Sequence, residues 1–138
     1  FLVKDKGLNS GFMIAHVTAA SLASESKTLC FPATVDSIPT SAGKEDHVSM
    51  GTTAARKCAV VVENTVKVIC MELFTAMQAI DFRKPLKPGK GVKAVYDLIR
   101  QDVPFMEKDM FIHPMFQKVL EKEYAIVEKA QKAAGELN

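Results

Sequence analysis

One stretch constrains this chain more than any other. From Thr52 or Thr53 to about Ile80, the polar residues Arg56, Lys57, Glu63, Asn64, Lys67, Glu72 and Gln78 fall within roughly half of a helical wheel. The spacing predicts one helix of about 29 residues, roughly 43 Å long at the standard rise per residue. Val60, Val61, Val62, Val66, Val68 and Ile69 favour strand by propensity. The helical period nevertheless continues on both sides, through Ala54 to Cys58 and through Glu72 to Met77, and packing routinely overrides such preferences. Glu63 and Lys67 add a favourable i,i+4 pair.

A rod of that length exceeds the diameter of a compact globule of 138 residues. Its apolar half, rich in Val, Met and Phe, has to be covered by something. Long helices with wide apolar faces bury them in bundles, often between subunits, so an oligomer or a further part of the polypeptide is expected. The chain also opens on Phe1 rather than Met, with no helix or strand start signal, which suggests a piece of a longer protein.

The remaining elements follow from weaker signals. Asn9 and Ser10 can cap a helix running from Phe12 to Ser26, whose Ala-rich middle would let a neighbour approach closely. Between Thr28 and Gly51 no period of 3.6 or 2 is sustained; Pro32, Pro39, Gly43 and Gly51 alternate with Ser, Thr and Asp. Connections of about two dozen residues are uncommon inside a domain and often functional, so residues 28–51 are read as a functional loop. After the breaker Arg83-Lys84-Pro85-Leu86-Lys87-Pro88-Gly89, Val92, Val95, Tyr96 and Ile99 mark a short helix ending near Asp102. A last helix is expected from Pro114 through Phe116, Val119, Leu120, Val127 and Ala130 to Gly135, with Lys118, Glu121, Lys122 and Glu123 on its solvated face. The reading is all-α, a single helical segment over residues 1–138.

Composition removes several function classes. Lys and Arg total 18 against 16 Asp and Glu, a formal charge of +2, and nothing in that balance calls for nucleic acid or an anionic membrane. The longest apolar run, Cys58-Ala59-Val60-Val61-Val62, falls far short of the roughly 20 residues of a membrane helix. No charged leader with an apolar core and cleavage site opens the chain, and 3 cysteines is an odd count for a disulfide framework, so a reducing cytoplasm fits best. Cys30, Cys58 and Cys70 are too widely spaced for a CxxC motif, and Cys58 and Cys70, inside apolar helical sequence, are expected to be buried free thiols.

Chemistry concentrates in Ser41-Ala42-Gly43-Lys44-Glu45-Asp46-His47-Val48-Ser49, just before the long helix. A helix amino terminus offers unpaired N–H groups and a positive dipole end, so Asp46 or Ser49 can simply cap the helix while Glu45 is solvated. The other reading makes Glu45 a general base or a substrate-recognition group, with Asp46 and His47 arranging the loop. Spacing alone leaves both open. No activated Ser or Cys setting is visible for a triad, and His16, His47 and His113 have no metal-ligand spacing.

Three blocks carry a resemblance: Gly7-Leu8-Asn9-Ser10-Gly11-Phe12-Met13-Ile14-Ala15, Val35-Asp36-Ser37-Ile38-Pro39-Thr40-Ser41-Ala42, and Glu45-Asp46-His47-Val48-Ser49-Met50. In order and separation they resemble the carboxy-terminal part of the histidine ammonia-lyases, within the aromatic amino-acid ammonia-lyase family. The likeness weakens but continues through the long helix and Ala79-Ile80-Asp81-Phe82-Arg83. It implies a long-helix bundle similar to the fumarase and aspartase group, and a homotetramer whose active sites combine subunits. It also implies elimination of ammonia from an aromatic amino acid by a methylidene-imidazolone ring formed from an internal Ala-Ser-Gly. That tripeptide does not occur in this sequence, and Ser41-Ala42-Gly43 has the wrong order. The electrophile and the remainder of the enzyme are therefore expected upstream, with no cofactor made by this chain and no lyase activity from it alone.

By the same resemblance, Glu45 matches the acid that faces the substrate side chain in histidine-specific members, where phenylalanine-specific ones carry an amide. A carboxylate suits imidazole, whereas a phenyl ring would leave it unpaired. Lys44 stands where relatives commonly have Gln, and a Lys44 to Glu45 contact would alter how available the carboxylate is to substrate. Asp46, His47 and Ser49 are the structural residues of the loop. The runner-up readings are a tyrosine or phenylalanine ammonia-lyase or an aromatic aminomutase, and a non-catalytic helical module that self-associates through Thr52 to Ile80.

Overall fold

In the computed structural model the 31-residue helix α2, Gly51–Asp81, dominates the chain, at about 46 Å. The structure describes residues 1–5, 7–47 and 49–135. Ahead of α2 come α1, Met13–Leu29, and the two-residue strands β1, Pro39–Thr40, and β2, Glu45–Asp46. After it come α3, Lys90–Arg100, α4, His113–Leu120, and α5, Glu123–Ala134. The fold is all-α apart from that small hairpin, and no described helix is long and apolar enough to cross a membrane.

The chain divides into two compact units. The first comprises residues 1–18 and 69–138, and among its described residues it carries nearly all of the buried apolar side chains. Phe12 and Phe74 meet with ring centroids 5.0 Å apart, and Met77, Ile99, Val103, Met106 and Val119 are almost fully enclosed. The carboxy-terminal half of α2 supplies Cys70, Met71, Phe74 and Met77 to this core at helical spacing. Burial pushes the Cys70 thiol up, and the nearby Glu123 charge adds to the shift, which makes it a packing residue rather than a nucleophile.

The polar half of α2 is not as the wheel predicts. Gln78, on the polar half of the wheel, is 1% exposed. Its Nε2 donates to Leu2 O at 3.0 Å and Met106 O at 2.7 Å, and its Oε1 accepts from Met106 N at 3.1 Å. An amide has donors and acceptors on one planar group, so a single side chain satisfies two irregular segments that have no ladder of their own. Replacing it with Leu is expected to strand those backbone groups and cost about 2 kcal/mol. A lowered urea midpoint at constant m-value checks this, and an unmoved midpoint would mean that the amide is dispensable.

Three further expectations need correction. Asn9 and Ser10 make no side-chain cap on α1, which starts at Met13: ahead of the helix the carboxylate of Asp109, far away in sequence, accepts from Ser10 N at 2.8 Å and Gly11 N at 2.7 Å. Asn9 instead accepts from Asp109 N at 2.9 Å. Gly11 is required here, because its φ is +57° and a Cβ would lie 2.0 Å from Phe1 O. The helix read from Pro114 to Gly135 is two helices. It breaks at Glu121 and Lys122, where Lys122 has φ −98° and ψ 9° and its ammonium reaches Leu98 O and the Asp102 carboxylate. The break turns Ile126 inward, 5% exposed, and leaves Val127 outside at 55%. It also lets α5 pack on α3, where Gly91 faces Ala130 and Ala134. The thiol of Cys58, expected in a core, is exposed, as is that of Cys30.

The second unit, residues 19–68, explains the exposed Cys58. Among its described residues only Met50 and Asn64 are buried. Asn64, also on the polar half of the wheel, donates from Nδ2 to Glu25 Oε2 at 2.8 Å and lies 3.4 Å from Ser26 Oγ, joining α1 to α2. The Lys57 ammonium is held on Phe31 O and lies 6.0 Å from the centre of the Phe31 ring. Apolar Phe31, Val35, Ile38 and Val62 are more than half exposed, which is a large apolar surface for so short a segment.

Candidate functional site

The segment leading to α2 folds on itself before the helix begins. Pro39 pairs with Asp46 and Thr40 with Glu45 in antiparallel register. The pairing extends one residue outward, where His47 N donates to Ile38 O at 2.8 Å, and Ser37 Oγ donates to His47 O at 3.2 Å. The four residues between the strands close on a bond from Lys44 N to Ser41 O, 3.2 Å. Three of them, Ser41, Ala42 and Gly43, have φ of 51°, 55° and 79°. Left-handed backbone is natural for Gly43 and unfavourable for Ser41 and Ala42, which carry a Cβ.

That turn brings Ser41 back onto Glu45. The Ser41 hydroxyl donates to Glu45 Oε2 at 3.1 Å, and among the described residues this is the one side-chain hydrogen bond that the carboxylate accepts. Both side chains are exposed, so the carboxylate is presented outward with Oε1 unpaired among the described residues. Such a group can accept a hydrogen bond from a ring N–H or pair with an imidazolium.

The other sequence-derived site residues are near in sequence but do not converge on Glu45. Lys44 is exposed, and among the described residues its ammonium makes no ion pair with Glu45. Asp46 follows Glu45 in an extended strand, so the two carboxylates leave the backbone on opposite faces. His47 contributes backbone groups to the hairpin rather than a ring contact. Ser49 makes a long contact, 3.4 Å, from Gly51 N to its Oγ at the start of α2. Of the two capping candidates, Ser49 stands at the helix and Asp46 does not. Among the described residues no three His, Cys, Asp or Glu side chains gather as a metal site.

Two features escaped sequence reasoning. Ser41 was named within the loop cluster and through the tripeptide that it resembles, but as no partner of Glu45, and nothing in its spacing announced a left-handed turn. The second is a cluster in the first unit, at the end of α2. Asp81 Oδ1 accepts from Tyr96 Oη at 2.7 Å and pairs with Lys84 at 2.6 Å, while Oδ2 meets Arg100 at 2.5 Å. Burial raises the Asp81 carboxyl, but hydrogen bonds from Lys84 and Tyr96 and the charge of Arg100 outweigh it and hold the group below its ordinary value. Arg100 also donates to Val103 O and Pro104 O, each at 2.9 Å, so the cluster is a structural junction in which Asp81 and Arg100 turn inward and Lys84 closes it from the solvent side. A cavity of about 340 Å³ in the same unit is lined by Ser10, Ile14, Phe111 and His113 among others. The Asp109 carboxylate on its wall is already spent on Ser10 and Gly11.

Residues 1–101 match the family model described as aromatic amino acid lyase. The histidine ammonia-lyase of Natranaerobius thermophilus is 50% identical over 139 residues, covering 99% of this chain and 27% of that protein. The crystal structure of histidine ammonia-lyase from Trypanosoma cruzi superposes with a TM-score of 0.88 at 45% identity, over 98% of this chain and 27% of that one. The tyrosine aminomutase of Streptomyces globisporus superposes with a TM-score of 0.84 at 31% identity, over 96% of this chain and 26% of that one. The chain thus spans 27% of the length of the first of these relatives.

Proposed function

Since the chain belongs to the aromatic amino acid lyase family, we propose that it is the carboxy-terminal part of a histidine ammonia-lyase, a carbon-nitrogen lyase that in complete form converts L-histidine to urocanate and ammonia. The observation that carries the reading is the Glu45 carboxylate, held by Ser41 on a hairpin and facing outward with one oxygen unpaired among the described residues. The identity to histidine ammonia-lyases supports the choice of substrate.

In this reading Glu45 recognises the imidazole, and the remainder of the protein closes over it. Removing water from that carboxylate strengthens its pairing with a ring N–H and penalises a phenyl ring, which offers no donor. Asp46, His47 and Ser49 hold the hairpin and the start of α2, and Lys44 borders the carboxylate without consuming it.

The methylidene-imidazolone ring of the family would supply the electrophile that activates the substrate for loss of ammonia. The residues present do not fit its formation. Ser41-Ala42-Gly43 lacks a hydroxyl on its middle residue, and its Ser hydroxyl is donated to Glu45. The electrophile therefore belongs to an Ala-Ser-Gly outside this chain, and every step through it lies there.

The thinly covered second unit supports a homo-oligomer, a homotetramer by the resemblance, in which other subunits or other parts of the same chain cover α2. The 3 cysteines are all free, which agrees with a cytoplasmic enzyme of histidine catabolism. The likeness to a tyrosine aminomutase favours one alternative, an enzyme acting on tyrosine, at lower identity.

The intact protein is expected to release ammonia from L-histidine with formation of urocanate, and to show little turnover of L-tyrosine. This chain alone is expected to release none. Turnover by the isolated chain, or a preference of the intact protein for tyrosine, would overturn the assignment. An intact protein inactive on both would point instead to a helical self-association module.

A further inference from the structure

Two residues that carry a Cβ, Ser41 and Ala42, adopt left-handed backbone in succession, in a loop where a second glycine would meet less resistance. The conformation has one visible product. It folds Ser41 back over four residues so that its hydroxyl meets Glu45 Oε2 at 3.1 Å. A glutamate at an exposed strand position otherwise samples several rotamers and presents its carboxylate in several directions. The hydroxyl ties one oxygen and leaves the other to a ligand.

We propose that Ser41 is a positioning residue for substrate recognition, orienting the Glu45 carboxylate toward the substrate ring through the hydrogen bond that the left-handed turn creates. This rests on the reading of Glu45 as the group that recognises imidazole. The hydroxyl touches no reacting atom and acts only through Glu45, so its loss weakens binding rather than the bond-breaking step. Lys44 closes the turn through its backbone N–H, which leaves its side chain outside this arrangement.

The test uses the intact protein and steady-state kinetics with L-histidine. Ser41→Gly keeps the left-handed backbone and deletes only the hydroxyl. It is expected to raise KM about 3- to 10-fold with kcat within about twofold. Ser41→Asn, which tolerates the same backbone and carries an N–H donor, is expected to restore most of the loss. In a Glu45→Ala background, where no carboxylate or amide remains to be oriented, Ser41→Gly is expected to add nothing, because the serine acts only through residue 45. An unchanged KM in Ser41→Gly beside an impaired Glu45→Gln overturns the positioning role and leaves Glu45 in place. An equal loss from Ser41→Gly in both backgrounds makes the serine a merely structural residue. A Glu45→Gln enzyme with unaltered kinetics removes the recognition reading, and the role of Ser41 with it.

Discussion

In the intact protein, Glu45→Gln is expected to lower kcat/KM for L-histidine by about 10- to 100-fold, the worth of one hydrogen bond to a charged group in a closed site. The amide preserves the size and shape of the side chain and can still accept from Ser41, so the hairpin that carries residue 45 should persist. What disappears is the charge that an imidazolium pairs with and the stronger of the two possible acceptors for a ring N–H. Turnover of tyrosine, measured alongside, should not fall in parallel, since its ring has no nitrogen to lose a partner. A histidine preference that survives the change would take Glu45 out of the pocket.

The second large effect is on stability. Arg100→Ala is expected to destabilise the fold by about 3 kcal/mol, because it removes the more buried of the two cations paired with the Asp81 carboxylate, leaving only the exposed Lys84, and frees Val103 O and Pro104 O. Denaturant unfolding should show the loss as a lower midpoint. The same cluster sets an acid limit. An unfolded aspartate titrates near the ordinary value of about 3.8, and in the folded protein Asp81 is held below it. The folded state therefore binds fewer protons than the unfolded state in that interval. The stabilisation is complete above the ordinary value and is lost as pH falls through the lowered folded one. A stability profile in acid that is unchanged by Asp81→Asn would show that the cluster does not set it.

The long helix was legible because a residue pattern sustained over many turns leaves little choice: Gly51–Asp81 differs from the expected span by one or two residues at each end. The short helices α1 and α3 were nearly as readable. Gln78 and Asn64 defeated the wheel because polarity says only that a side chain needs partners, not that they are water. The break at Lys122 was invisible because both halves keep helical spacing, and only the docking of α5 on α3 shows that a turn must intervene. At the site, the residues of the loop are neighbours in sequence, and that proximity says nothing of how they separate in space. Alternating directions in β2 send Asp46 away from Glu45, and a turn that no propensity favours brings in Ser41.

By itself the sequence determined the all-α class, the long helix and the irregular stretch that leads into it. These follow from local periodicity, which any arrangement must obey. Tertiary structure alone decided which polar groups of the rod turn inward, which distant carboxylate holds the backbone ahead of α1, and which hydroxyl meets Glu45. Each of those is a pairing between residues whose separation along the chain carries no record of their meeting in space.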